Sequence, residues 1–448
     1  MVADKIIGYD FHGGFYADLP NRRVLYRGQL LPEPLTAMEF RVLEFFLDVP
    51  NKTIPPEKVV PLNEESHNAQ RHPVGDYIYK INRKLGLKVD ELFKGVRGLG
   101  YRFECHNVRP RYESDLEEAG DLAATSHMHF NEHTLPTLLA TEEHTRKALA
   151  INPHGLPELN IERAYACINL SHVGYCRKLP TEGMPEAKAA AETALAVNPN
   201  SARAYGVLGL VVLIYEYKWD EAETLLKKAI EIDPKEASSL LSYAHLLVAR
   251  GDFEQGLMHM EQAARVNRTD KLIYSSWGWL CLFAGDLVRA DKLMKDAVYR
   301  FPEFPKAHVM RGLVLEELGQ YEDALKEFEL ALELERMIPF PLAALGHLYG
   351  KMGKRRLAQS VLRDFSKLHK EGRAAYVSGY CQALIYAGLG ENELCLSALE
   401  KSYDQRCDWL IHLAVEPRWS GVRDDPRFHK LMKKVGLQQA RSAKAATN

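Results

Sequence analysis

The N-terminal part of the chain alternates short apolar and polar runs in the manner of β-strands. Between Ile6 and about Leu31 these runs are separated by Gly13-Gly14 and Pro20-Asn21, two pairs that favour turns. The pattern predicts a small antiparallel sheet. Helical spacing replaces it after Leu31.

Three helices are predicted next. Thr36 and Glu39 have the spacing of a capping box, which predicts a first helix from Thr36 to Asp48. Ile54 to Val60 can form a short second helix, with prolines at its start. The third helix follows from apolar residues at steps of four, three and four, which are Val74, Ile78, Ile81 and Leu85.

A hairpin and an acidic segment follow. Glu91–Arg97 and Tyr101–Phe103, separated by Gly98-Leu99-Gly100, predict a β-hairpin. Residues 113–121 then carry five acidic side chains and no basic one, which predicts a solvated linker over residues 107–125.

The second half of the chain repeats itself at an interval of 34 residues. The repeated small residues are Ala222, Gly256, Ala290, Ala324 and Ala358 in one series and Ala244, Gly278, Gly312 and Gly346 in another. A period of 34 is typical of tetratricopeptide-type (TPR) helix pairs, in which small residues let the two helices approach closely. We therefore predict an all-α solenoid of seven or eight repeats over residues 126–437.

The last part of the solenoid has a different pattern. The run from Asp408 to Leu437 looks like the closing segment of bacterial TPR regulators, and it predicts a cap over the apolar face of the last repeat. Residues 438–448 are predicted to be a disordered tail.

Composition and charge narrow the function classes only slightly. The 448 residues include 58 Lys plus Arg and 60 Asp plus Glu, so the net charge of -2 excludes no partner. Seven cysteines without a C-x-x-C pair predict reduced thiols and a cytoplasmic protein. No segment has the length and apolar character of a membrane span or a secretion signal, so we expect no membrane partner.

The first hundred residues resemble a known DNA-binding family. The motifs that carry the resemblance are Leu35-Thr36-x-x-Glu39-Phe40, Val74-x-x-x-Ile78-x-x-Ile81-x-x-Lys84-Leu85 and Val96-Arg97-Gly98-x-Gly100-Tyr101-Arg102-Phe103. They resemble the OmpR/PhoB-type winged-helix domain over residues 1–106. The resemblance implies an N-terminal α+β winged helix-turn-helix whose third helix enters the major groove of double-stranded DNA and whose hairpin reaches the minor groove.

The resemblance and the local charge together give candidate DNA-binding residues. The segment from Lys80 to Arg102 has five more basic than acidic residues, which suits phosphate neutralisation. Lys80 is the best candidate to read a base, and Asp76 could accept from cytosine. The full candidate set is Asp76, Tyr77, Tyr79, Lys80, Arg83, Lys84, Arg97 and Arg102, of which the last four side chains are expected to contact phosphates.

Other chemistry finds little support. The motifs of nucleotide-binding and hydrolytic enzymes are absent, so we predict no catalytic residue, no cofactor and no enzyme activity. Five histidines from His127 to His154 do not have the spacing of a metal site, and we predict no metal. Cys167 and Cys176 are expected in the core, and Tyr215, Tyr217 and Trp219 are expected to pack a widened turn between helices.

Three interpretations of function follow. The fold class is mainly α, a winged helix followed by a TPR solenoid, and this order resembles the HilA-type bacterial transcriptional regulators. It implies that the winged helix binds promoter DNA and that the solenoid mediates self-association or binds a protein partner. The alternative is a TPR adaptor whose winged helix has lost DNA binding, which Asn82, Gly95 and the near-neutral first domain favour. An enzyme has no motif in its favour.

Overall fold

The computed structural model describes residues 6–11, 15–26, 29–55, 59, 74–87, 92–96, 100–105, 108–130, 132–152, 157–335 and 338–437. The chain forms two compact units. Unit 1 comprises residues 1–124 and 146–157, and unit 2 comprises residues 125–145 and 158–448. The predicted domain limits stay a prediction, and the predicted tail, 438–448, lies outside the described residues.

Unit 1 contains a five-stranded antiparallel sheet in the order β4-β3-β2-β1-β8. This confirms the antiparallel sheet predicted for the first 31 residues. Its strands are β1 (Ile6–Phe11), β2 (Phe15–Asp18), β3 (Arg23–Tyr26), β4 (Gln29–Leu30) and β8 (Arg109–Tyr112).

The first helix of unit 1 is α1 (Ala37–Asp48). Its capping box is formed as predicted, because the backbone N–H of Glu39 donates to Thr36 Oγ1 and the backbone N–H of Thr36 donates to Glu39 Oε2 at 2.7 Å. One face of α1 is buried, with Phe40, Leu43 and Leu47 as predicted.

The next elements bring a helix against a second, three-stranded sheet. The helix is α2 (Val74–Lys84), and the sheet has the order β5-β7-β6 with strands β5 (Thr53–Ile54), β6 (Phe93–Val96) and β7 (Gly100–Phe103). The third helix and the hairpin are therefore confirmed. The start of the predicted second helix is a strand instead, because Thr53 and Ile54 pair with Arg102 and Tyr101. The rest of that prediction lies almost wholly outside the described residues.

Aromatic side chains join the helices of unit 1 to the hairpin. Phe93 on β6 lies 5.2 Å from Phe46 on α1 and 5.0 Å from Phe103 on β7, both in edge-on geometry. All three rings are buried. They hold the hairpin against the core that α1 and α2 share.

The predicted acidic linker is wrong in its local structure. Residues 109–112 form strand β8, and α3 (Glu113–Phe130) begins directly after it. Acidic residues are favoured in the first turns of a helix because they interact with its dipole, and Ala119, which is buried, and Leu122 supply an apolar side. Helical propensity therefore prevails over the charge pattern that indicated a linker.

Unit 2 is built from consecutive helices. Seven pairs run from Pro157 to Asp404, within the predicted range of repeats. They are α5 (Pro157–Ser171) with α6 (Pro180–Val197), α7 (Ala202–Val211) with α8 (Trp219–Ile232), α9 (Ala237–Ala249) with α10 (Phe253–Val266), α11 (Lys271–Phe283) with α12 (Leu287–Arg300), α13 (Pro305–Glu317) with α14 (Tyr321–Leu334), α15 (Pro339–Lys351) with α16 (Arg355–Lys370), and α17 (Gly379–Gly388) with α18 (Asn392–Asp404). Helix α4 (Leu135–Ile151) precedes them.

Small residues occupy the helix crossings as predicted. A Cβ atom on Gly312 of α13 would overlap the ring of Phe328 on α14, and one on Gly278 of α11 would overlap Met294 on α12. Ala244 is fully buried at the equivalent place on α9. The close approach of each pair therefore requires these side chains to be small.

The chain after the last repeat contacts more of the solenoid than a cap over the last repeat alone would. Helix α19 (Pro426–Val435) packs on α18, where Arg427 pairs with Glu400 at 2.7 Å. The preceding segment forms two 3-10 helices, Asp408–His412 and Pro417–Trp419, which lie against helices from several repeats. We call residues 408–419 the returning segment.

Candidate functional site

The face of α2 that the sequence predicts to contact DNA is partly as expected. Asp76, Tyr79 and Lys80 are exposed, and 58% of Tyr79 is accessible. Tyr77 is half-buried and packs on the core of unit 1, with the Lys80 ammonium 5.9 Å from the centre of its ring. This face can present a cation and a phenol to a partner.

The end of α2 differs from the expectation. Lys84, which was expected to contact phosphate, has a side chain that is only 8% exposed; it pairs with Glu39 at 2.8 Å and donates to the carbonyl of Pro34. Burial alone would raise the pKa of Glu39, but hydrogen bonds from Lys84 and Thr36 outweigh it and lower the pKa. The Glu39 carboxylate of the capping box binds the Lys84 ammonium. Helical periodicity within α2 does not predict this contact, because Glu39 lies on α1.

The remaining basic candidates have carboxylate neighbours or are not described. Arg83 pairs with Glu33 at 2.9 Å. Arg102 donates to Thr53 Oγ1 at 2.9 Å and lies 3.9 Å from Glu104, which also pairs with Lys94. Arg97 lies outside the described residues. The basic surplus of the sequence is therefore partly neutralised where the fold brings glutamates to it.

Unit 2 contains a second candidate site that the sequence did not indicate. A cavity of about 790 Å³ is lined by residues from α5, α7, α9, α11 and α13 and by the returning segment. Its size is that of small-molecule and peptide sites. At one end five polar residues come together, and we call them the polar cluster: His172, His245, Lys306, Asp408 and His412.

Asp408 joins the returning segment to the end of α5. Its Oδ1 accepts from the backbone N–H of Val173 at 3.1 Å, and its Oδ2 lies 3.1 Å from His172 Nε2. The indole N–H of Trp409 donates to the same His172 nitrogen at 2.8 Å. Because only 4% of Asp408 is exposed, burial raises its pKa to about 7, with the Val173 N–H acting in the opposite direction.

The histidines of the polar cluster are held in the neutral form. His245 Nδ1 and His412 Nε2 lie 3.2 Å apart, so one ring donates to the other. Burial lowers the pKa of His245 to about 3, with the Lys306 charge acting in the same direction, and burial also lowers the pKa of His172 and of His412. Two buried polar atoms of residues that line the cavity, His412 Nδ1 and Trp279 Nε1, have no hydrogen-bond partner in the described part of the chain.

Lys306 is the cation of the cluster. It lies in the first turn of α13, and burial lowers its pKa to about 8, although Asp408 and Asp270 act to raise it. Among the described residues no carboxylate oxygen lies within 4 Å of its ammonium. The side chain is half-buried, so the ammonium faces the cavity with only distant counter-charges.

A segment before the repeats bounds the same region. Ser126 Oγ donates to Glu162 at 2.7 Å, Glu132 pairs with Lys271 at 2.7 Å, and the backbone N–H of Leu135 donates to Glu335 at 2.8 Å. Residues 126–135 therefore connect helices that are far apart in the repeat array. His127 and His133 of this segment line the cavity.

Other residues named from the sequence have structural contacts. Cys167 and Cys176 are buried, as predicted. The helix after Val211 widens into a π-helical turn, Val212–Glu216, and beyond it Tyr217 donates to the carbonyl of Cys407 and Trp219 to the carbonyl of Val435. The turn prediction is confirmed, and the aromatic residues additionally hold the C-terminal segment.

No group of three His, Cys, Asp or Glu side chains in the described ranges is arranged to hold a metal ion. His127 instead lies 2.9 Å from Glu162, and the rings of His129 and His144 stack at 5.6 Å. Nor does any described helix combine the length and apolar character needed to cross a membrane.

Comparison with known proteins agrees with the repeat geometry. Two tetratricopeptide-repeat family profiles match the chain, one over residues 183–237 and one over residues 305–336. The chain contains tetratricopeptide repeats. Both matches lie in unit 2, and they confirm the predicted TPR solenoid. Such a solenoid is suited to protein–protein interaction.

The chain has low similarity to several solved structures. The APC/C hetero-tetramer Cut9-Hcn1 is similar with a TM-score of 0.48 and 17% identity, over 81% of this chain and 59% of that one. Pseudomonas aeruginosa pilF is similar with a TM-score of 0.34 and 19% identity, over 47% and 92%. For YrrB, a TPR protein with an unusual peptide-binding site, the values are 0.28, 19%, 43% and 92%. No curated protein matches this chain.

Proposed function

We propose that this protein is a non-enzymatic adaptor whose TPR solenoid binds an extended segment of a partner protein and whose N-terminal unit makes further protein contacts. Its seven cysteines are buried and form no disulfide bonds, which suits a reducing compartment, and we place its action in the cytoplasm. The resemblance of unit 1 to a winged helix enters this proposal as a scaffold for contacts.

The observation that carries the proposal is that the solenoid already holds a peptide segment of its own chain. Trp409 of the returning segment lies 4.1 Å from Phe340 on α15 and 4.6 Å from Trp279 on α11, measured between ring centres. Arg418 lies over Phe340, and Trp419 packs edge-on against Tyr380 on α17. Buried aromatic residues and arginine are the side chains that dominate binding at interfaces.

The helices before this occupied stretch offer a comparable surface that is open. The inner sides of α5, α7 and α9 line the cavity together with exposed polar residues at its edge, such as Glu158 and Lys235. An apolar wall with a polar edge is the usual composition of an interface. A second segment can therefore bind beside the returning segment.

Crosslinking tests the adaptor proposal. A photoreactive side chain at Lys235, on the cavity edge, should capture a partner protein in the source cell, whereas one at Lys292, exposed on α12 and not in the cavity lining, should not. Mass spectrometry identifies the captured protein, and the pair of purified proteins should then bind in solution. Identical capture at both positions, or capture at neither, would contradict binding in the groove.

The second candidate function is that of a HilA-type transcriptional regulator in which unit 1 binds double-stranded DNA. The observation in its favour is the exposed face of α2, where Tyr79 and Lys80 project from the surface. The paired states of Arg83, Lys84 and Lys94 weaken the positive field that such binding requires, and for this reason we place the adaptor first.

Anisotropy measurements with the full chain and a pool of labelled duplexes separate the two functions. A regulator should bind with an affinity that falls steeply with salt, and Lys80→Ala should relax sequence preference by about 1–3 kcal/mol at one or two base pairs. Lys52→Ala, at an exposed position outside α2, is the matched control. Absence of binding at low salt would leave the adaptor as the function.

A further inference from the structure

The cavity of unit 2 has features that a protein-binding groove does not need. Its polar cluster collects side chains from two helices, a loop and the returning segment, and it presents a half-buried lysine with no carboxylate within 4 Å of its ammonium in the described residues. A buried charge without a close counter-ion is costly, and proteins keep such groups mainly where a ligand completes them.

We propose that the polar cluster is a binding site for a small monocarboxylic acid with an aromatic or other planar apolar body, whose carboxylate pairs with Lys306. This inference does not depend on a protein partner. It assigns a ligand class to the deep end of the cavity, whereas the adaptor proposal concerns the exposed edge.

The surroundings of Lys306 favour an anion. Lys306 lies in the first turn of α13, and that helix start has no side-chain cap, so the unsatisfied N–H groups add to the positive potential. The nearest acidic residues are otherwise engaged: Asp270 caps α11 by accepting from Leu272 and Ile273, and Asp408 accepts from Val173. A ligand carboxylate next to Lys306 would supply the negative charge that no described residue places within 4 Å of its ammonium.

One charge on the ligand fits better than two. Lys306 is the cation of the cluster, and its three histidines are held neutral by burial. A phosphate would bring a second negative charge without a second cation, and a cationic ligand would be repelled by Lys306. The electrostatics therefore select a monoanion.

The walls define the rest of the ligand. The indole rings of Trp279 and Trp409, 4.6 Å apart, and Ile273 supply apolar surface. Trp279 Nε1 and His412 Nδ1 are buried and have no partner among the described residues, so a polar atom of the ligand can satisfy one of them. A planar body can pack on these rings while its acid group reaches Lys306.

Two segments outside the repeats favour a small ligand over a long one. The returning segment forms one wall with Asp408, Trp409 and His412, and residues 126–135 contribute His127 and His133. These walls enclose about 790 Å³, a volume that suits a drug-sized molecule.

Calorimetry with the full chain tests the site. Phenylacetate is the probe, phenylacetamide its neutral analogue and phenethylamine its cationic one. We expect phenylacetate to bind with a dissociation constant of about 1 mM or better, at least about tenfold tighter than either analogue, because only the acid pairs with Lys306. Tryptophan fluorescence should change on binding, since Trp279 and Trp409 form the wall.

Variants locate the site within the cavity. Lys306→Met, which keeps the side-chain length without the charge, should weaken phenylacetate about tenfold or more and leave phenylacetamide unchanged. Lys235→Met at the edge of the same cavity is the matched control and should bind like the parent. Trp279→Phe is a second variant if Lys306→Met does not fold. It removes the indole N–H, which has no partner among the described residues, and part of the ring.

Three outcomes would overturn the proposal. They are equal binding of acid and amide, retention of acid affinity in Lys306→Met, and binding of a short peptide through its free C-terminal carboxylate when no small acid binds. Capture of a protein at Lys235 bears only on the adaptor proposal, so the failure of one proposal is distinguishable from the failure of the other.

Discussion

The two candidate sites differ in how their charged side chains are paired. On unit 1, Arg83, Lys84 and Lys94 each have a glutamate within 3 Å, so charge that the sequence concentrates is cancelled locally. In unit 2, the half-buried Lys306 and the buried Asp408 form no close ion pair with each other. A run of basic residues therefore does not by itself make a binding surface, whereas buried groups without a close counter-charge indicate one.

The largest effect in this comparison is expected from the aromatic wall of unit 2. Trp409→Ala removes a ring that contacts helices α11, α15 and α17, and deletions of buried tryptophan typically cost about 3–5 kcal/mol. Chemical unfolding measures the loss. Tyr299→Ala, at a residue 85% exposed, is the control and should change stability by less than about 0.5 kcal/mol. Equal effects would show that the returning segment is not held by Trp409.

Asp408→Asn should stabilise the protein in a manner that depends on pH. The pKa of Asp408 is raised from 3.8 to about 7, so between these values the folded state holds a proton that the unfolded state has lost, and stability falls as pH rises. Asparagine cannot ionise and keeps an acceptor for Val173. The variant should match the parent near pH 4 and exceed it above pH 7 by at most on the order of 4 kcal/mol.

Thermal unfolding across this pH range measures the effect of Asp408→Asn. Asp404→Asn, at an exposed residue near the end of α18, serves as the control. A pH-independent difference between parent and Asp408→Asn would mean that the buried carboxyl does not titrate with folding.

A smaller loss is expected at a helix crossing. Gly312→Leu places a side chain where the ring of Phe328 lies, and overpacking of this kind costs about 1–3 kcal/mol. Ala284→Leu, at a half-buried residue just after the end of α11, is the control and should cost less. Unfolding curves with no loss for Gly312→Leu would disprove the role of small residues in repeat packing.

The smallest effects concern unit 1 and complete the comparison. Lys84→Met removes the partner of the nearly buried Glu39 and should cost about 1–2 kcal/mol, whereas Lys80→Met should change stability by less than about 0.5 kcal/mol. Equilibrium unfolding of both variants tests this. Similar values for the two lysines would mean that the ion pair at α1 contributes nothing measurable.

Local patterns predicted most of the secondary structure. The capping box at Thr36 and the apolar stripe of α2 depend on neighbours a few positions apart, and the repeats depend on a regular interval of 34 residues; the structure and the family profiles confirm all three. Predictions failed where local signals conflicted or where pairing came from far along the chain. The acidic run became α3, and Thr53-Ile54 became a strand because Tyr101 and Arg102 pair with it.

The residues of the candidate sites were likewise predictable only in part. Helical periodicity predicts which residues on α2 are exposed, since it separates Ile78 and Ile81 from Tyr79 and Lys80. Helical periodicity does not predict that Lys84 forms an ion pair with Glu39. The only hint of the cavity in the sequence was a C-terminal run that departs from the repeat pattern, and that run was interpreted as a cap.

The composition of the polar cluster follows from the folding of distant parts of the chain onto one another. His172, Lys306 and Asp408 are separated by more than a hundred positions each, and no periodicity relates them. They meet because successive helix pairs stack around a common interior and the returning segment enters it. Burial and counter-charge, which set the pKa values of these groups and their capacity to bind a ligand, are properties of that enclosure and are absent from any stretch of the chain taken alone.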